Sequence, residues 1–239
     1  MSGHSKWAQI KRQKGAADKK KGQAFSKLAR AITIAAKNGG VDPATNFKLR
    51  MVIENARTLS MPGDNIERAI SRAAGAQDGN TLEEVVYEGY GPFGTAFLIE
   101  TATDNKNRTV NNIKHIFAKH GGNLAGQGSV AWQFATRGQI LVERSGVDLS
   151  DLELAAIDAG AEDVRESKEG LEVYTRPLDL NPIKQKLQSL GVKIAEAQII
   201  KESSQGVDLS DEQKPAVDTL FAELENDEDV IAVHTSANL

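Results

Sequence analysis

Apolar positions recur at helical spacing through the first third of the chain and at strand spacing after it. Phe25, Leu28, Ile32 and Ala35 mark one helical stripe, which Gly39-Gly40 ends. Asp42-Pro43, a capping residue followed by a proline suited to a first helical turn, predicts the start of a second helix with the stripe Leu49, Val52, Ile53, Ala56 and Leu59. Met61-Pro62 breaks it. Asp64 is then expected to cap a third helix carrying Ile66, Ala69, Ile70 and Ala73, with Asp64 and Arg68 forming a pair worth about 0.3 kcal/mol. Three short amphipathic helices make one small bundle, and residues 75–80 read as a linker.

From residue 81 the period shortens. Residues 85–87 and 95–100 read as strands around the turn-rich segment Gly89-Tyr90-Gly91-Pro92-Phe93-Gly94. A helix follows, with Val110, Ile113, Ile116 and Phe117 and a stop at Gly121-Gly122, and residues 129–134 read as a strand. Residues 138–201 alternate strand (139–143), helix (151–159), strand (162–166), strand (171–175), helix (182–190), strand (193–200). That βαββαβ order is the ferredoxin-like pattern. The word Gly146-Val147-Asp148-Leu149-Ser150-Asp151 recurs at Gly206-Val207-Asp208-Leu209-Ser210-Asp211, each copy ending in a capping box, Ser150 with Glu153 and Ser210 with Gln213. The helix (214–224) and strand (230–234) after the second copy cannot bury a core alone. Added to the strand–helix–strand set of residues 95–134, they complete a second ferredoxin-like unit. The expected architecture is α+β: a helical basic domain (1–80), a discontinuous ferredoxin-like domain (81–135 with 206–239), and a third domain (136–205) inserted into it.

Charge sharpens this division. The 239 residues carry a net charge of −4, yet residues 1–80 hold fifteen Lys/Arg against six Asp/Glu, a net of +9. The remainder holds fourteen against twenty-seven, a net of −13. Within residues 1–30 the cations Lys6, Lys11, Arg12, Lys14, Lys19, Lys20, Lys21, Lys27 and Arg30 face Asp18 alone. Such segregation points to a polyanionic partner. Trp7, one of two tryptophans, lies among these cations, where its ring suits stacking on a base or sugar, or anchoring of the segment to the bundle. A run of charges is also commonly a solvated tail. No apolar run is long enough to span a membrane, and the start lacks the apolar core of a secretory signal. Its basic, acid-poor character leaves a mitochondrial presequence as the other reading. The absence of cysteine excludes disulfides, thiol nucleophiles and cysteine-ligated zinc, which fits a cytoplasmic protein.

The remaining motifs do not assemble a reaction centre. The glycine-rich segment 89–94 has dinucleotide-loop spacing but precedes a strand and contains a proline, so a turn fits better. His115 and His120 are five apart rather than four, and the acidic run 225–229 lacks the spacing and glycine of a calcium loop, reading instead as a solvated turn. No nucleophile elbow or phosphate-binding lysine loop is present. Neither an enzyme nor a cofactor is expected. In Thr103-Asp104-Asn105-Lys106-Asn107-Arg108-Thr109, Asp104 or Asn105 can cap the following helix, while Lys106 and Arg108 beside its N-terminus form a possible secondary anion site.

The same words carry a family resemblance. Gly3-His4-Ser5-Lys6-Trp7 with Ile10-Lys11, Met61-Pro62 with residues 64–70, Tyr87-Glu88-Gly89-Tyr90-Gly91-Pro92, residues 103–109, and Gly121-Gly122-Asn123-Leu124 with Gly128-Ser129-Val130-Ala131-Trp132 make the chain similar to the YebC family. They run in order through the first two domains, and the last hundred residues match in layout more than in motif. The resemblance implies a helical domain and two α/β domains, and a DNA-binding transcriptional regulator. Mitochondrial relatives are described as translational activators, and bacterial ones are linked to ribosomes stalled at proline-rich stretches. The chain departs from the pattern at Gln23-Ala24 and at Gly63, where a lysine is common, which removes a charge from the third helix.

The expected function is therefore non-enzymatic: a cytoplasmic nucleic-acid-binding regulator gripping phosphate through Lys6, Trp7, Lys11, Arg12, Lys14, Lys19, Lys20, Lys21, Lys27 and Arg30, with Arg68 on the third helix. The partner is duplex DNA or, alternatively, ribosomal RNA in a translation factor. No helix shows the asparagine, glutamine and arginine spacing used to read bases, so contact with shape or backbone is expected. The acidic α/β domains offer a surface for a protein partner.

Overall fold

The computed structural model describes residues 19–75, 82–144, 148–167 and 169–238. Helices α1 (Lys19–Gly39), α2 (Phe47–Thr58) and α3 (Gly63–Ala73) come first and share a core of Ile32, Ala35, Leu49, Ile53, Ala56, Ile66 and Ala69. The second helix begins later than Asp42-Pro43 predicts. Asp42 instead holds a turn through the Ala44 N–H (2.9 Å), and Asn46 caps α2 by accepting from the Leu49 N–H at 3.0 Å. The Asn46 amide also donates to the Ala35 and Gly40 carbonyls at 2.8 and 2.7 Å. One buried side chain thus satisfies orphan groups of both the end of α1 and the start of α2, which Asp42 cannot do. The expected Asp64 cap is also absent. Asp64 lies in the first turn of α3, and Arg68 reaches Asn65 at 3.2 Å instead of Asp64.

The first sheet contains β1 (Glu83–Tyr90), β2 (Ala96–Thr103), β3 (Asn123–Ala125) and, from the far end of the chain, β9 (Val230–Thr235), in the antiparallel order β3-β1-β2-β9. Helices α4 (Lys106–Lys119) and α7 (Lys214–Asn226) pack on it through Phe97, Ile99, Ile113, Phe117, Leu220 and Val233. The Phe97 and Phe117 rings meet edge to face, 5.8 Å apart. The glycines of segment 89–94 serve this packing. A Cβ on Gly89 would lie 2.6 Å from the Phe117 ring, and one on Gly91 would lie 2.5 Å from the Phe97 ring. The strand expected at 129–134 is not formed. Residues 131–133 make a single 3₁₀ turn, and the strand after α4 is the short β3.

The reason is Glu88. Its carboxylate is 3% exposed and accepts the backbone N–H groups of Gly128, Val130 and Ala131 at 2.6, 2.6 and 2.8 Å. Donors that a strand would send to its neighbour go to this one side chain. Burial pushes the Glu88 carboxyl up, but the three N–H bonds outweigh it and hold it below the usual carboxylate range.

The second sheet is formed by β4 (Phe134–Glu143), β5 (Asp163–Glu166), β6 (Gly170–Thr175) and β7 (Ile194–Ser203) in the order β5-β6-β4-β7, all antiparallel. With α5 (Leu149–Asp158) and α6 (Leu180–Ser189) as the two crossovers, this is the expected ferredoxin-like arrangement. Its core joins Ile140, Val142, Leu152, Val173, Ile183 and Leu187. β8 (Val207–Asp208) pairs in parallel with β10 (Ala237–Asn238) beside the first sheet. The two capping boxes are only partly realised: Asp148, not Ser150, caps α5, and the Gln213 side chain accepts from the Ser210 N–H at 3.0 Å. Gly146 and Val147 of the first copy, and residues 76–80 of the linker, lie outside the described residues.

Candidate nucleic-acid interface

Lys6, Trp7, Lys11, Arg12 and Lys14 lie outside the described residues. The backbone of Lys19, Lys20 and Lys21 forms the first turn of α1. The basic segment therefore leads directly into a helix that is packed at its other end.

Two cations chosen for phosphate face inwards. The Lys27 ammonium donates to the Glu225 carbonyl in the last turn of α7, and burial lowers its pKa to about 8 against the pull of Glu225 and Asp227. Arg30 donates to the Ala102 carbonyl at 2.8 Å and to Asp229 Oδ1 at 2.7 Å. Arg30 roots α1 on the first sheet, and Lys27 roots it on the helix α7 that packs there. Their charge is committed within the molecule.

Asp229 also corrects the reading of the acidic run 225–229 as a solvated turn. Its side chain is 2% exposed and accepts from Arg108 at 2.7 and 2.8 Å and from the Thr109 hydroxyl at 2.7 Å. Burial would raise the Asp229 carboxyl, but the Arg108 and Thr109 hydrogen bonds and the charge of Arg30 hold it low. The secondary anion site expected at Lys106 and Arg108 thus has internal occupants. Arg108 binds Asp229 and, at 3.0 Å, Asp104, while Lys106 meets Glu83 at 2.6 Å. Asn105 caps α4 through the Arg108 N–H at 3.0 Å, which realises the capping reading of that segment.

The structure brings Arg30 and Arg108 together on one carboxylate, with Lys27 on the adjoining turn of α7. Arg68 stands apart, exposed on α3, and Arg72 follows it one turn later. Arg57 is exposed at the end of α2. Among the described residues none of these three arginines lies within ion-pair distance of a carboxylate, so their charge faces solvent. The four-residue spacing of Arg68 and Arg72 was a legible signal that motif reasoning passed over. Other ion pairs tie α2 to its neighbours, Lys48 to Glu84 of β1 at 3.2 Å and Glu54 to Lys184 of α6 at 2.7 Å. No group of three or more His, Asp or Glu side chains suited to a metal occurs among the described residues, and no described helix is long and apolar enough to cross a membrane.

Residues 5–76 match the model of the TACO1/YebC protein N-terminal domain, and residues 82–237 match that of the TACO1/YebC second and third domain. The chain belongs to the TACO1/YebC family. A relative from Thermomicrobium roseum, named "Probable transcriptional regulatory protein", is 48% identical over all of this chain and 96% of its own length. One from Desulfosudis oleivorans bears the same name and is 48% identical over all of this chain and 97% of its own. The crystal structure of a conserved hypothetical protein from Aquifex aeolicus, 41% identical, superposes with a TM-score of 0.83 over 92% of this chain and 91% of that one. At the level of the family this is a regulatory protein, and transcription regulation is the role its relatives' names give.

Proposed function

We propose that this TACO1/YebC protein is a non-enzymatic cytoplasmic regulator of transcription that binds duplex DNA through its N-terminal basic segment. The observation that carries the reading is the segregation of charge. Nine cations against one acid occupy residues 1–30, in a chain whose residues beyond 80 are net negative. Within that set the work divides by position. Lys6, Lys11, Arg12, Lys14, Lys19, Lys20 and Lys21 serve phosphate, with Trp7 available to stack. Lys27 and Arg30 hold the root of α1, and Arg68, with Arg72, adds a second contact on α3. Residues 1–80 act as the binding unit, and the discontinuous (81–135 with 206–239) and inserted (136–205) units keep polyanions away from the rest of the surface or meet a protein.

Displacement of counterions then supplies most of the affinity, with log K falling by about 0.9 per log of salt for each phosphate neutralised on a duplex. The test measures salt-dependent affinity for a promoter duplex, an unrelated duplex and purified ribosomes. A preference for one duplex is expected. Indifference between duplexes with tight ribosome cosedimentation would overturn it in favour of a translation factor acting at proline-rich stretches. Deleting residues 1–22 removes no member of the helical core, so the truncated protein should fold and lose most binding.

A further inference from the structure

The hairpin end of the first sheet carries exposed aromatic rings with no polar function left to satisfy. Trp132 is 64% exposed, Phe93 50% and Tyr90 36%. The Trp132 indole N–H donates to the Ser129 carbonyl at 3.1 Å, and the Tyr90 hydroxyl donates to the same carbonyl at 3.0 Å. That carbonyl belongs to the loop pinned by Glu88, so both rings stand on a rigid support. Apart from the buried Glu88, the segments 86–99 and 121–135 contain no Asp, Glu, Lys or Arg, in a chain where such residues make up 26%. The segments that carry the rings are thus aromatic and, Glu88 aside, without charged side chains.

We infer that Trp132 and Tyr90 form a stacking platform for an unpaired nucleobase. The proposal deepens the nucleic-acid reading, on which it rests: cations elsewhere hold phosphate, and this surface holds a base. Stacking needs only a ring face, which every base also offers. A proline-rich peptide is the competing occupant, but its backbone carries carbonyls that need donors. Here the two ring donors are already spent on Ser129. The absence of acidic side chains removes repulsion from a polyanion, whereas the chain beyond residue 80 is otherwise net negative.

The full chain carrying Trp7→Phe, so that Trp132 alone reports, is titrated with oligothymidylate of about twelve nucleotides, with an abasic strand of equal length and charge, and with a proline decamer. Oligothymidylate should quench Trp132 emission, and the other two should not. In the otherwise unaltered protein, Trp132→Ala should weaken oligothymidylate binding on the order of tenfold with an unchanged salt slope, and Trp132→Phe should keep most of the affinity. Because the indole is exposed, neither change threatens the fold. Equal quenching by the abasic strand, quenching by the proline decamer alone, or undiminished affinity in Trp132→Ala overturns the platform. If that variant binds normally with a steep salt response, only the platform falls. If the full chain binds neither these strands nor the duplexes and ribosomes above, the nucleic-acid reading falls with it.

Discussion

The two ends of the first sheet each bury one carboxylate and satisfy it by opposite means. At the hairpin end Glu88 takes three backbone N–H groups from a loop some forty residues away in sequence. At the other end Asp229 takes two guanidinium groups, one from α1 and one from α4, plus the Thr109 hydroxyl. A carboxylate bound by backbone dipoles stiffens a single loop. A carboxylate bound by arginines from separate elements ties those elements together. The first arrangement holds a surface in shape, and the second joins the helical unit to the sheet.

That contrast can be broken most sharply at Asp229. Asp229→Ala leaves Arg30 and Arg108 without their shared partner. It should lower stability by about 3 kcal/mol, the cost typical of removing one member of a buried ion pair, as read by urea denaturation. Hydrogen exchange should quicken in both α1 and α4, and acceleration in only one of them would refute a joint role.

Glu88→Gln should cost about 2 kcal/mol, because a neutral amide replaces one charged acceptor and turns an NH₂ towards backbone donors. Here faster exchange should be confined to residues 126–132. Spread into α1 would erase the distinction between the two ends. Both carboxyls lie below their ordinary values, so their contributions are complete above about pH 5 and drain away only as acid protonates them.

Lys27 gives a smaller effect of the same sign with pH, at the alkaline end of the range. Its pKa falls from 10.5 to about 8 in the folded protein. Between those values the unfolded chain binds the extra proton, so stability should rise with pH across that window. Comparing urea midpoints at about pH 7.5 and 9.5, the native protein should gain on the order of 1 kcal/mol over Lys27→Met. An identical pH response in the two proteins would mean that Lys27 is not buried against α7. Arg68→Ala, on an exposed helix face, should leave stability within about 0.5 kcal/mol and only lessen the salt slope of nucleic-acid binding.

Much of the fold was legible because the features involved are local. The period-2 and period-3.6 stripes located most strands and helices, and the recurrence of the 146–151 word at 206–211 pointed to a chain that returns to its first sheet. The pairing of β2 with β9 carries out that return. What escaped were choices settled by distant partners. Asn46 outcompeted Asp42 as a cap because Ala35 and Gly40 also needed its amide. Residues 129–134 had strand composition, but Glu88 took their donors. Asp229 looked like one more acid in a solvated run, and nothing in its neighbours announces a partner 199 residues earlier in Arg30. The cations of residues 1–30 were legible as a charge cluster. Which of them would turn inward was not, since the inward turn of Lys27 and Arg30 is set by Glu225 and Asp229, 198 and 199 residues later.

The late arrival of β9 has a consequence for biogenesis. A chain emerging from the exit tunnel can complete the second sheet once Ser203 is free. The first sheet, begun earlier, must wait for Val230 to Thr235, so the enclosed unit matures before the one that encloses it. The Asp229 carboxylate shared by Arg30 and Arg108 arrives in the same final stretch. Until then Arg30 of α1 has the Ala102 carbonyl of β2 within its reach but lacks its carboxylate partner, so the ion pair that ties the cationic helix to the sheet forms only as translation of the molecule nears its end.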